Sequence, residues 1–109
     1  MQVNARPAEV NLNLYAGDDF WLDVTVTDPD GNAADLSGQV ARADIRQNTA
    51  TEVIASFDAA IDGNVINLHL AGADVAGLPG ASVWDCQLAG TDTVTLVAGV
   101  VRTTAQVTI

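Results

Sequence analysis

The stretch ASVWDCQLAGTDTVTLVAG, Ala81 to Gly99, holds one of the two tryptophans and the only cysteine of the chain. It reads either as a reactive thiol with its surroundings or as two strands joined by a turn. Strand alternation places Trp84, Cys86 and Leu88 on one face and Val83, Asp85 and Gln87 on the other. Trp84 and Leu88 call for a core, so Cys86 between them is expected to point inward as a small hydrophobe. A reactive thiol needs a thiolate held by positive charge, a helix N-terminus or a histidine. Asp85 and Gln87 supply none of these. Cys86 is therefore read as structural, and Gly90-Thr91-Asp92 as the hairpin connection between the two strands.

The same alternation extends in both directions. Val10, Leu12 and Leu14 alternate with Glu9, Asn11 and Asn13. After the turn residues Ala16-Gly17-Asp18-Asp19, Phe20, Leu22, Val24 and Val26 share one face, and Trp21, Asp23, Thr25 and Thr27 the other. Asp28-Pro29-Asp30-Gly31-Asn32 is a strong turn signal, and Leu36 is expected to anchor the connection that follows. Residues 39–47 form a third strand, and Gln47-Asn48-Thr49-Ala50 a loop. Val53, Ala55 and Phe57 mark a fourth strand, Ile61-Asp62-Gly63-Asn64 a turn, and Ile66, Leu68 and Leu70 a fifth. Residues 71–78, ending before Pro79-Gly80, break the rhythm as one short helical turn. Strand six is Ser82 to Ala89, and strand seven starts at Thr93. In the last strand Val94, Leu96, Ala98 and Val100 keep one phase, whereas Val101, Thr103, Ala105, Val107 and Ile109 keep the other. This flip implies a β-bulge or change of sheet near Gly99 to Arg102.

About seven short strands with turn signals roughly every 8–12 residues predict an all-β, antiparallel β-sandwich with one short helical turn. Parallel βαβ architecture requires repeated helical crossovers, which the pattern lacks. The 109 residues fit one domain. Residues 1–8 are expected to be an extended N-terminal arm, and residues 9–109 the single sandwich domain.

Charge narrows the function. Fourteen acids stand against four arginines and no lysine, for a net charge of −10. Nucleic-acid binding rests largely on Lys and Arg neutralising phosphates, so no nucleic-acid partner is expected. Anionic membranes are disfavoured for the same reason, and no apolar run reaches the ~18–20 residues of a membrane helix. MQVNARPAEV lacks a basic start followed by an apolar core, so no signal peptide is expected.

Candidate chemistry is sparse. His69, the only histidine, alternates with Ile66, Leu68 and Leu70 and is expected to face outward. One His and one inward Cys do not make a zinc site. None of Ser37, Ser56 and Ser82 sits in a Gly-x-Ser-x-Gly elbow. Counted from Asp28, the glycine of Asp28 to Asn32 comes too early for an EF-hand, and the twelfth residue is Gln39. Asp18-Asp19 is read as a solvated turn rather than a glycosidase pair. No catalytic, metal or cofactor site is expected.

Tyr15 and Trp21 fall on the polar phases of the first two strands and flank one turn, where they could meet across a hairpin. Exposed Tyr and Trp mark contact surfaces, so these two are the candidate partner-contact residues. The competing expectation is an N-terminal arm that covers Trp21.

Several pieces carry a family likeness: Leu14-Tyr15-Ala16-Gly17-Asp18, Asp35-Leu36-Ser37-Gly38, Ala41-Arg42-Ala43-Asp44-Ile45-Arg46, Ala76-Gly77-Leu78-Pro79, Val83-Trp84-Asp85-Cys86-Gln87-Leu88 and Leu96-Val97-Ala98-Gly99-Val100-Val101. Together they resemble small all-β virion proteins of tailed bacteriophages. These include the immunoglobulin-like N-terminal domain of upper-baseplate proteins and minor tail proteins of phages of actinobacteria. Cys86 departs from that pattern, which usually has an aliphatic residue there. The resemblance implies an Ig-like sandwich and a non-enzymatic structural virion protein without cofactor. It would dock in many copies on tail, baseplate or capsid proteins after assembly in the host cytoplasm. The chain stopping at Ile109 suggests a stand-alone accessory piece. The alternative is a carbohydrate- or receptor-binding adhesion module, for which Tyr15 and Trp21 would form a coplanar stacking platform.

Overall fold

A computed structural model describes residues 2–3 (backbone only), 8–28, 30–48, 52–90 and 93–104. The expectations for most of the arm, for Pro29, for Thr49-Ala50, for Thr91-Asp92 and for residues 105–109 lie outside the described residues.

Two sheets face each other across an apolar interior. The strands are β1 (Gln2–Val3), β2 (Ala8–Glu9), β3 (Leu12–Tyr15), β4 (Phe20–Val26), β5 (Val40–Arg46), β6 (Val53–Ser56), β7 (Asp58–Asp62), β8 (Val65–Leu70), β9 (Ala81–Ala89) and β10 (Thr93–Thr104), with one helix, α1 (Gly72–Ala76). The first sheet has the order β1-β4-β8-β7. The second runs β2-β10-β9-β5-β6, with β3 also alongside β10. The pairings β4–β8, β7–β8, β5–β6, β5–β9 and β9–β10 are antiparallel. The N-terminal strands β1, β2 and β3 pair in parallel with β4 or β10. Strands so distant in sequence need no helical crossover to run parallel.

The inward set follows the alternation. Val24, Ile66, Leu68, Leu70, Ile45, Trp84, Cys86, Leu88, Val97 and Val101 are all buried. Phe57 lies between the sheets. Its ring is 6.3 Å from Phe20 of the first sheet, edge to face, and 5.7 Å from Trp84 of the second. Such aromatic contacts add to the gain from area burial. Val75 of α1 is buried.

The expected fourth strand is in fact two. Ala55, Phe57, Ala59 and Ile61 keep one inward phase, but β6 pairs with β5 and β7 with β8. The chain changes sheet at Phe57, whose N–H donates to the Ala43 carbonyl at 2.9 Å. Alternation runs unbroken through the crossing, which is why it reads as one strand. Ile61 and Asp62, expected in a turn, belong to β7; the turn itself centres on Gly63, with φ of 62°.

Two further expectations are corrected. β3 and β4 do not form a hairpin: β3 joins the second sheet and β4 the first, so the turn between them carries the chain across the sandwich. The bulge in β10 falls between Thr95 and Val97, ahead of Gly99. Leu96 and Val97 are consecutive and both buried, and Val100 is 40% exposed. The phase flips where two adjacent apolar side chains both enter the core.

The link between β2 and β3 is held against β10 and β9. The Trp84 indole N–H donates to the Val10 carbonyl at 2.8 Å. The Val10 N–H donates to Ala98 O at 3.1 Å, and the Val100 N–H to Asn11 Oδ1 at 3.0 Å. Gly99 sits beneath this link, and a Cβ there would overlap the Val10 carbonyl. Trp84→Phe leaves that carbonyl without its donor and is expected to lower stability by about 1–3 kcal/mol. Gly99→Ala forces the link away from β10 at a cost of roughly 1–3 kcal/mol. Urea denaturation of the two variants against the unaltered chain checks both.

Candidate surface site

The outward residues of the first sheet are set by register. Trp21 pairs with His69 and His69 with Asp58, which makes one row across β4, β8 and β7. Asp23, Asn67 and Ala60 make the next. Trp21 lies flat on His69, with ring centroids 3.8 Å apart and 17° between planes, and remains 69% exposed. Trp21, Asp23, Asp58, Asn67 and His69 contribute to a shallow depression of about 240 Å³.

Asp19, at the end of the turn after β3, reaches this row. Its Oδ2 is 3.2 Å from His69 Nε2, and its Oδ1 accepts the Gly72 N–H at 2.7 Å. The Asp58 carboxylate is 3.8 Å from His69 Nδ1. The Gly72 hydrogen bond, then the one with His69, hold the Asp19 carboxyl below the ordinary aspartate value of 3.8. The turn thus locks the start of α1 to β8.

The second sheet presents a different outward face. Asp44 is buried there, and its carboxylate accepts from Arg42 Nε at 2.7 Å and from Ser56 Oγ at 2.6 Å. Asp85 pairs with Asp44 in register. Burial raises its carboxyl above 3.8, and the Arg46 charge partly offsets this. A depression of about 270 Å³ opens beside Asp85, Arg46, Val83 and Val100.

Tyr15 ends β3 on the outward phase of this second sheet, 57% exposed. Trp21 belongs to the first. The structure therefore does not bring the two candidate contact residues together across a hairpin. It leaves both exposed, and the N-terminal strand β1 lies beside β4 in the plane of the sheet rather than over Trp21. Sequence reasoning missed the partnership of Trp21 with His69, although both were placed on outward phases; only the β4–β8 register joins them.

The remaining residues of interest have structural roles. Asp28 Oδ1 accepts the N–H groups of Asp30 and Asn32, both at 3.0 Å, and Gly31 adopts a φ of 88°. The carboxylate thereby closes a turn. Among the described residues, no group of three or more His, Cys, Asp or Glu is placed to hold a metal ion, and no helix is long and apolar enough to cross a membrane. Cys86 is fully buried; burial, with the charge of Asp85, pushes its thiol up to about 11.

The strand order and faces define an immunoglobulin-like β-sandwich. The chain belongs to the LtfC-like family of β-sandwich domains, whose model matches residues 6–104. In structure it is similar to the N-terminal domain of ORF48 of phage TP901-1, with a TM-score of 0.61 and 10% identity over 94% of this chain and 93% of that one. It is also similar to an immunoglobulin domain in the complex of titin M10 with obscurin-like 1, at a TM-score of 0.54 and 16% identity over 94% and 92%. No curated protein matches the chain in sequence. The likeness read from the sequence, to Ig-like domains of tailed-phage proteins, agrees with the family and with the phage domain of the same fold.

Two outcomes are expected from this geometry. Raising the Cys86 thiol from 9.0 to about 11 lowers its thiolate fraction at neutral pH about a hundredfold. A thiol reagent should therefore label the folded chain far more slowly than the chain in urea, and comparable rates would show Cys86 to be accessible. The Asp19 carboxyl is depressed in the folded state, so its stabilisation is complete above pH 3.8 and is lost as the pH falls through its lower folded value. The stability deficit of Asp19→Ala should accordingly be largest above pH 3.8 and shrink below it in pH-dependent denaturation.

Proposed function

We propose that this chain is a non-enzymatic structural protein of a tailed-phage virion. It docks as an accessory tail, baseplate or capsid-surface component on a larger assembly. The observation that carries this reading is the match of residues 6–104 to the LtfC-like β-sandwich family. The phage ORF48 domain, which has the same fold along nearly its whole length, supports it. The surface adds support of its own. Asp28 and Asp35 shape turns, Asp19, Asp44 and Asp85 lie against basic side chains, and the nucleophile at Cys86 is buried beside an acid. Residues 9–109 act as one sandwich, with residues 1–8 as an arm that joins it to neighbours or to its own sheet edge.

Tyr15 and Trp21 are the proposed contact residues. They lie on opposite sheets, which suits a subunit held between neighbours in a repeated array, where many weak contacts gain avidity. The carbohydrate-binding alternative sets both rings on one stacking platform, and the placement of β3 and β4 in different sheets argues against that arrangement.

Purified virions of the source phage should contain the chain at a fixed copy number by quantitative mass spectrometry. Trp21→Ala and Tyr15→Ala, both exposed and compatible with folding, should lower incorporation severalfold. Particles that lack the chain altogether would refute the virion assignment; unchanged incorporation of both variants would refute the contact residues.

A further inference from the structure

The two outward faces differ in how their charge is satisfied. Strands β1, β4, β7 and β8 contain no Lys or Arg, whereas the described arginines, Arg42, Arg46 and Arg102, all lie in β5 and β10 of the other sheet. On the second sheet, Arg42 neutralises Asp44 at 2.7 Å, and Arg46 lies 4.0 Å from Asp85. On the first sheet, the Asp23 carboxylate and the Asn67 amide have no side-chain partner among the described residues. Beside them the Trp21 ring has one face against His69 and the other open.

We propose that the outward face of the four-stranded sheet takes an arginine side chain from a neighbouring protein. The guanidinium lies on the open face of Trp21 and donates to the Asp23 carboxylate. This rests on the reading of the chain as a docking component and names the chemistry of its partner. A guanidinium is planar and weakly hydrated, stacks on indole, and forms charge-assisted hydrogen bonds with a carboxylate. The net charge of −10 draws a cation to the surface from a distance. A neutral sugar can stack on the same ring but gains nothing from that field. A second copy of this chain is a poorer occupant, because two such anions repel and, of the described arginines, Arg42 and Arg46 already face their own carboxylates, which leaves Arg102 alone to supply the contact.

The test is a titration of the ¹⁵N-labelled full chain, followed by NMR. The probes are the capped peptide acetyl-Gly-Arg-Gly-amide, its neutral citrulline analogue, its lysine analogue and a neutral oligosaccharide. The arginine peptide should shift the Trp21 indole N–H and the Asn67 amide first. It should bind about tenfold more tightly than the citrulline analogue and weaken as salt is added. Trp21→Ala should abolish the response, and Asp23→Asn should weaken it. Shifts spread over the acidic turns and indifferent to Trp21→Ala would overturn the proposal. So would a Trp21 response to the oligosaccharide but not to the arginine peptide. Trp21 shifts that depend on protein concentration alone and vanish in Arg102→Ala would assign the face to a second copy instead. A chain absent from virions that still binds the arginine peptide at Trp21 would refute the virion reading and leave this site standing. A chain present in virions that ignores the peptide would do the reverse.

Discussion

The hydrogen bond from the Trp84 indole to the Val10 carbonyl is the constraint on which the rest of the fold depends. Between β2 and β3 the chain presses its backbone against β10, and a carbonyl turned inward there needs a donor. Trp84 provides it while its ring fills the interior of the second sheet. Phe57 then carries the aromatic contact across to Phe20 on the facing sheet. Immunoglobulin domains of antibodies tie their sheets with a disulfide packed against a tryptophan. This chain has one cysteine, so no such tie forms within it, and the packing of the two inner faces takes its place. Cys86 serves in that packing as a small apolar group beside Trp84.

Much of the sandwich was legible because side-chain alternation records burial. Trp84, Cys86 and Leu88 point inward as the pattern of β9 implies, and the break after Leu70 does mark a helix. Alternation does not record which sheet a strand joins. Phe57 keeps the phase of both β6 and β7 while the chain passes from one sheet to the other, and Tyr15 and Trp21 flank a turn that looks like a hairpin but crosses the sandwich. The bulge was misplaced for a related reason. Val100 is as apolar as its neighbours, and only the pairing of β10 with β9 shows that the extra residue is absorbed near Leu96.

The polar features were less legible still, since they arise from contacts between strands. Asp44 sits on an outward phase yet is buried, because Arg42 and Ser56 both donate to it. A charge is tolerated at so buried a position only when it is paired and hydrogen-bonded. The position alone would have read as a solvated acid. The stacking of Trp21 on His69 likewise joins residues 48 positions apart, and it exists because β4 and β8 lie in register.

The fold by itself cannot separate functions, since the same sandwich occurs in an immunoglobulin domain of a titin–obscurin-like 1 complex and in a phage domain at 16% identity or less. What distinguishes this chain is the outward positions. On the second sheet Arg42, Asp44 and Arg46 alternate in sign along β5, and Asp85 lies beside Arg46, so its acids already have cations against them. The first sheet has no Lys or Arg in its strands and presents one open indole face beside the Asp23 carboxylate. A surface that satisfies itself gains little by meeting a partner, because any new pairing must first break an old one. A surface on which one carboxylate, that of Asp23, and one face of the Trp21 ring have no partner among the described side chains gains from a complementary cation without breaking an existing pair. The asymmetry between the two faces therefore directs attention to β4 and β8, and it follows from where the described arginines, Arg42, Arg46 and Arg102, fall in a chain that has no lysine.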